Sequence, residues 1–112
     1  MWGEHPWDND RAPDWFGVMM DKTGLAGYVR ETLSTEINKD SAEVLRTAAF
    51  CLIQFGHIYV WPHEGLKGDL TLGIAALQQV LTDNEYCYSE EITADIRAEL
   101  LQLEERKENI IG

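Results

Sequence analysis

Apolar residues recur at helical intervals through most of this chain, and alternating runs of the kind that build strands are nearly missing. Ala12, Trp15, Phe16, Met19 and Met20 fall on one side of a helix predicted over about residues 11–22. Asp8 or Asp10 is placed to cap it, and Pro13 suits its first turn, where an N–H has no intrahelical acceptor. Thr23-Gly24 ends that segment. Leu25, Tyr28, Val29, Thr32, Leu33 and Ile37 then line one face of a second helix. Asp40-Ser41 is a cap for a third, with Glu43 near the positive end of its dipole. That helix carries Val44, Leu45, Ala48, Ala49, Phe50, Leu52 and Ile53 and is apolar nearly all round after residue 47, which predicts the centre of a bundle.

Gly56 ends the third helix. Residues 57–68 hold Pro62, Gly65 and Gly68 and read as a loop, with Pro62 truncating any extended piece at Ile58 and Val60. Asp69 is read as the cap of a fourth helix bearing Leu70, Ile74, Leu77 and Leu81, and Asp83-Asn84 as its end. After Tyr86-Cys87-Tyr88, Ser89 caps a last helix of about residues 90–108, with Ile92, Ile96, Leu100 and Leu103 as its apolar seam. Acids four apart there, Glu91–Asp95–Glu99 and Glu104–Glu108, repel by a few tenths of a kcal/mol per pair, so burial of the seam must hold the helix. The expectation is an all-α fold: one domain over residues 1–112, a compact bundle of about five helices with an aromatic N-terminal segment packed on it.

Size agrees with that expectation. A chain of 112 residues forms one core and buries about two-thirds of its unfolded surface, so it needs neither metal nor disulfide to fold. The longest apolar stretch, residues 47–53, falls far short of the roughly 20 residues of a membrane span. No cationic stretch followed by an apolar run opens the chain, which predicts a cytoplasmic protein. Cys51 lies in an apolar run and reads as a small core residue in a reducing compartment, with a Cys51–Cys87 bridge as the less favoured alternative.

Charge narrows the function classes. The net charge is −11, and residues 83–112 hold nine acids against three bases. Such a balance cannot assemble a phosphate-binding patch, which excludes nucleic acid, and it disfavours anionic membranes. The acidic last helix serves as a solvated face or as a surface that steers a basic protein partner.

The first fifteen residues concentrate three of the four tryptophans and three aspartates. The run Trp2-Gly3, then Pro6-Trp7-Asp8-Asn9-Asp10, then Ala12 and Asp14-Trp15 resembles the opening of a widespread bacterial family of similar length and unassigned function. Members of that family begin Ala-Trp-Gly and continue Gly-Pro-Phe-Asp-Asn-Asp; here His5 stands in place of the usual glycine and Trp7 in place of the usual phenylalanine. The resemblance implies a small helical cytoplasmic protein and carries over no catalytic residue, cofactor or substrate. Asp8, Asp10 and Asp14 match positions 1, 3 and 7 of a calcium loop, but Pro13 and Met19 stand where such a loop needs glycine and glutamate. The motif is therefore read as structural: aspartates capping a helix, worth about 1–3 kcal/mol, beneath a lid of Trp2, Trp7 and Trp15 that buries about 150–250 Å² per indole.

One other segment carries candidate chemistry. His57, His63 and Glu64, with Tyr59 and Trp61 between them, offer either an aromatic contact patch or a metal or general-base set. The two histidines stand six apart across a proline, which matches no zinc spacing. No phosphate loop, nucleophile elbow or Cys-x-x-Cys occurs. The expected function is a non-catalytic protein-interaction domain, in its concrete form an immunity-type inhibitor of a basic toxin. Its contact surface is Tyr59, Trp61 and His63 together with Glu91, Asp95 and Glu99. A small metal-dependent or histidine-based enzyme using residues 57–64 is the alternative. No cofactor or metal is expected, and monomer and homodimer both remain open.

Overall fold

The computed structural model describes residues 12–34, 41–57 and 60–110, which form five α-helices and no strand. These are α1 (Ala12–Thr23), α2 (Leu25–Leu33), α3 (Ser41–Phe55), α4 (His63–Val80) and α5 (Glu90–Glu108). The fold is thus all-α, as the spacing of apolar residues predicts. Ile37 and Asp40 lie outside the described residues, as do the capping candidates Asp8 and Asp10.

Gly24 separates the first two helices. Its φ of 63° is left-handed, a region glycine enters without steric penalty, and its N–H donates to the Met20 carbonyl at 3.0 Å. The chain can therefore turn within one residue. On α1 the inward side carries Phe16, Met19 and Met20, and α2 contributes Ala26, Val29 and Leu33. Tyr28, expected on that inner face, instead points outward.

The centre is α3. It packs against α2, α4 and α5, and Ala42, Leu45, Ala49 and Leu52 are fully enclosed. Gly73 of α4 lets the helices approach closely: a Cβ there would stand 2.8 Å from Leu52 Cδ1 and 3.2 Å from Leu103 Cδ1. The C-terminal end of α3 is closed from another helix. Arg106 of α5 donates from Nη1 to the carbonyls of Leu52 and Ile53, each at 2.8 Å, adding a charged donor at a helix end where the Leu52 carbonyl also accepts the Gly56 N–H.

The fourth helix corrects the sequence reading. It begins at His63, so Gly65 and Gly68 lie inside it and Asp69 is an interior residue rather than its cap. Glycine in a helix costs about 1 kcal/mol relative to alanine, which is why this stretch reads as loop. Burial of Leu66 and Leu70 on one stripe with Gly73, Leu77 and Val80 offsets that cost.

The last helix matches expectation at both ends. Ser89 adopts an extended conformation and its Oγ accepts the Ile92 N–H at 3.2 Å. Ile96 and Leu103 are fully buried, and Ile92 and Leu100 pack partly against the core. Because the rest of this helix is acidic, its stability depends on cap and seam. Ser89→Ala should cost about 1 kcal/mol in urea unfolding with an unchanged slope.

Candidate functional site

Two features stand out once the helices are placed: a buried carboxylate and an open apolar groove. The carboxylate belongs to Asp69, which is 1% exposed. A carboxylate in that position needs partners, because desolvating the charge costs several kcal/mol otherwise. Arg30 of α2 supplies two, Nε to Oδ1 at 2.7 Å and Nη2 to Oδ2 at 2.9 Å. The Trp61 indole N–H supplies a third, to Oδ2 at 2.8 Å. Arg30 reaches in from the surface, its side chain 47% exposed, and hydrogen bonding to Asp69 together with its charge raises the guanidinium above its ordinary value.

Gly65 makes this arrangement possible. A Cβ at that position would stand 2.5 Å from Arg30 Nη2 and 3.3 Å from Asp69 Oδ2. The helical glycine is thus required by the guanidinium lying across it. With three donors converged on its two oxygens, Asp69 joins α2, the turn before α4 and α4 itself rather than facing a substrate.

Trp61 is therefore not part of a contact surface. It is 2% exposed, because the turn in which the Val60 and Trp61 N–H groups both donate to the His57 carbonyl directs the indole inward to Asp69. Tyr59 lies outside the described residues. His63 is the first residue of α4 and Glu64 lies in its first turn, where an acid suits the dipole. His57 lies half-buried before the turn. Among the described residues no three His, Cys, Asp or Glu side chains come together as a metal site.

On α5 the predicted acidic surface divides. Glu91 and Asp95 are exposed. Glu99 faces α3 instead, where Arg46 donates from Nε to Oε1 at 3.0 Å and from Nη2 to Oε2 at 2.6 Å. Arg46 Nη1 also reaches the Tyr86 hydroxyl at 3.3 Å. The Glu99 hydrogen bonds, with Tyr86 adding to them, raise the Arg46 guanidinium above its ordinary value. Glu99 is thus an internal ion-pair partner rather than a free surface charge.

Trp15 is corrected in the opposite direction. It is 64% exposed, its ring meeting Phe16 edge-on at 5.5 Å, because Phe16 takes the inward position one residue further round α1. The other residues of the N-terminal motif, Trp2, Gly3, Pro6, Trp7, Asp8, Asn9 and Asp10, lie outside the described residues.

The groove runs between α2 and α3 and encloses about 440 Å³. Leu25, Tyr28 and Thr32 form one wall, and Val44, Thr47 and Cys51 the other. Both threonine hydroxyls are turned back on their own helices, Thr32 donating to the Tyr28 carbonyl at 2.9 Å and Thr47 to the Glu43 carbonyl at 2.8 Å. Burial pushes the Cys51 thiol up from its ordinary value, which disfavours the reactive thiolate. Sequence reasoning missed this groove. Its signal is Tyr28 beside Val44 on faces that periodicity assigned to the core.

No protein-family model matches the chain, and neither a curated protein nor a solved structure with significant similarity to it was found.

Two expectations follow from the buried carboxylate. Asp69→Ala should destabilise by about 2–4 kcal/mol in denaturant titrations, since it leaves the Trp61 N–H buried without an acceptor while the half-exposed Arg30 returns to water. The two helical glycines should respond with opposite sign. Gly65→Ala loses about 1–2 kcal/mol by displacing Arg30, whereas Gly68→Ala, with nothing within 4 Å of its added methyl, gains up to about 1 kcal/mol.

Proposed function

We propose that this chain is a non-catalytic protein-interaction domain for a basic protein partner, and that it acts as an immunity-type inhibitor of a basic toxin. The observation that carries the reading is the way charge is sorted between inside and outside. Glu90, Glu91, Asp95, Glu104, Glu105 and Glu108 are all exposed on α5. Arg30 and Arg46, meanwhile, are each neutralised by an acid of the fold, Asp69 and Glu99, and Arg106 is engaged by the carbonyls ending α3, so none of the three balances the α5 exterior. A chain already at −11 thus turns an excess of acid toward solvent.

A surface of this kind accelerates capture of a basic protein and rejects acidic ones, which is what a rapid inhibitor requires. The small size and the bacterial-family resemblance of residues 2–15 support the same reading. A cytoplasmic setting suits Cys51 and Cys87, both free thiols. No described helix is long and apolar enough to cross a membrane. The histidine-enzyme alternative has less support, because Trp61, at the middle of its segment, is turned inward to a structural hydrogen bond.

Co-expression with the product of the neighbouring gene is expected to yield a stable complex. Its association rate should fall about tenfold or more between 50 and 500 mM salt, and fall again in the Glu91→Lys, Asp95→Lys double variant. A complex formed at a salt-independent rate, or no complex, overturns the reading.

A further inference from the structure

We infer that the α2–α3 groove is the docking site for an amphipathic helix of a basic partner, seated between Tyr28 and Val44. The inference rests on the protein-interaction reading and specifies where contact is made.

The groove has the dimensions of a helix seat. Its lining runs from Leu25 to Thr32 along α2 and from Glu43 to Cys51 along α3. At about 1.5 Å per residue each wall is some 10–12 Å long, close to two helical turns. An incoming helix meets such a cleft with side chains at i, i+3, i+4 and i+7. The largest apolar side chain on each wall already stands out of the fold, Tyr28 at 72% and Val44 at 54% exposure. Tyrosine is enriched among the residues that dominate binding energy.

The chemistry of the lining selects the occupant. Small-molecule sites fix their ligands with a few convergent polar groups. Here the Thr32 and Thr47 hydroxyl protons are already committed to backbone carbonyls. A helix asks for nothing more, because its backbone is hydrogen-bonded within itself and it needs only apolar contact. Glu43 is the single charged residue of the lining, and it is acidic. It favours a helix whose apolar ridge is flanked by lysine or arginine. A second copy of this chain brings a net charge of −11 to the contact, so like charge opposes self-association where it favours a basic helix.

The test uses the full chain carrying Cys87→Ser, which leaves Cys51 as its one thiol. The probe is an 18-residue helical peptide with leucine at i, i+3, i+4 and i+7 and lysine elsewhere. The controls are its glutamate counterpart and a version with the leucines scrambled. Fluorescence anisotropy reads binding, and the rate of Cys51 labelling by a disulfide reagent reads where binding occurs. The lysine peptide should bind, slow Cys51 labelling at least tenfold, and outcompete both controls. Val44→Glu should weaken binding at least tenfold although it adds negative charge, and Tyr28→Ala should do the same; both positions are exposed enough to change without unfolding the bundle. Binding that is unchanged or tightened by Val44→Glu, or that leaves Cys51 unprotected, would mean attraction by charge alone and overturns the inference while leaving the basic-partner reading standing. Protection of Cys51 that grows with protein concentration alone assigns the groove to a second copy, and protection by decanoate but not by peptide assigns it to a small apolar ligand; either result also overturns it. A natural complex that forms at a salt-independent rate removes the basic-partner reading whatever the peptide does.

Discussion

A carboxylate that has been taken out of water organises this bundle. Asp69 is enclosed on α4, and the cost of its desolvation is met only where three donors reach it together. Arg30 must come from α2 and the indole of Trp61 from the turn before α4. The position of each donor then constrains its neighbours. Gly65 has to lack a side chain, His57 has to accept two N–H groups to turn the chain, and α4 has to begin before the acid rather than at it. Removing Arg30 leaves the carboxylate charge buried with only the indole N–H, and removing Asp69 leaves that N–H buried with no acceptor, so these partners depend on one another.

The other two engaged arginines do related work further along the bundle. Arg46 ties α3 to Glu99 of α5 and to Tyr86 in the connection between α4 and α5. Arg106 closes the end of α3, and burial pulls its guanidinium below its ordinary value, yet two backbone carbonyls at 2.8 Å hold it there. The central helix is thus held by α5 near both of its ends. These cations are long side chains whose stems pack while their heads make directed bonds, which apolar residues of equal size would not supply. A consequence is that α5 can carry a dense acidic exterior, since its inner face is held by Ile96, Leu103 and these two contacts.

Against this closed interior, the α2–α3 groove is an open place. Ala48, Thr32 and Thr47 are small or back-bonded and leave the space between the walls unfilled, and Tyr28 and Val44 extend past them into solvent. The acidic exterior acts over distances near a Debye length, about 8 Å at physiological salt, while the groove acts only in contact. On the proposed reading, long-range attraction and short-range apolar fit fall to different helices, an arrangement suited to fast capture followed by slow release.

The chain's own residues specify most of the helices through chemistry that acts within one turn. Ser89 three residues before Ile92, the seam from Ile92 to Leu103, and Gly24 at a left-handed turn are local matters, and α5 accordingly runs from Glu90 to Glu108 where its spacing places it. The start of α4 is different. Pro62, Gly65 and Gly68 argue locally for a loop, and only the extension of the Leu70 stripe back to Leu66 hints otherwise. Burial of Leu66 and Leu70 against the core offsets the glycine cost, and Arg30, 39 residues away from Asp69 along the chain, pairs the acid inside the helix, a contact that no periodicity displays. Asp69 also accepts the Trp61 indole N–H from eight residues away and holds it inside, Arg46 draws Glu99 off the surface across 53 residues, and the competition for the inner face of α1 turns Trp15 outward in favour of Phe16. Residue type and spacing state which side chains prefer burial; which of several candidates obtains it depends on the partners that the folded chain brings within reach.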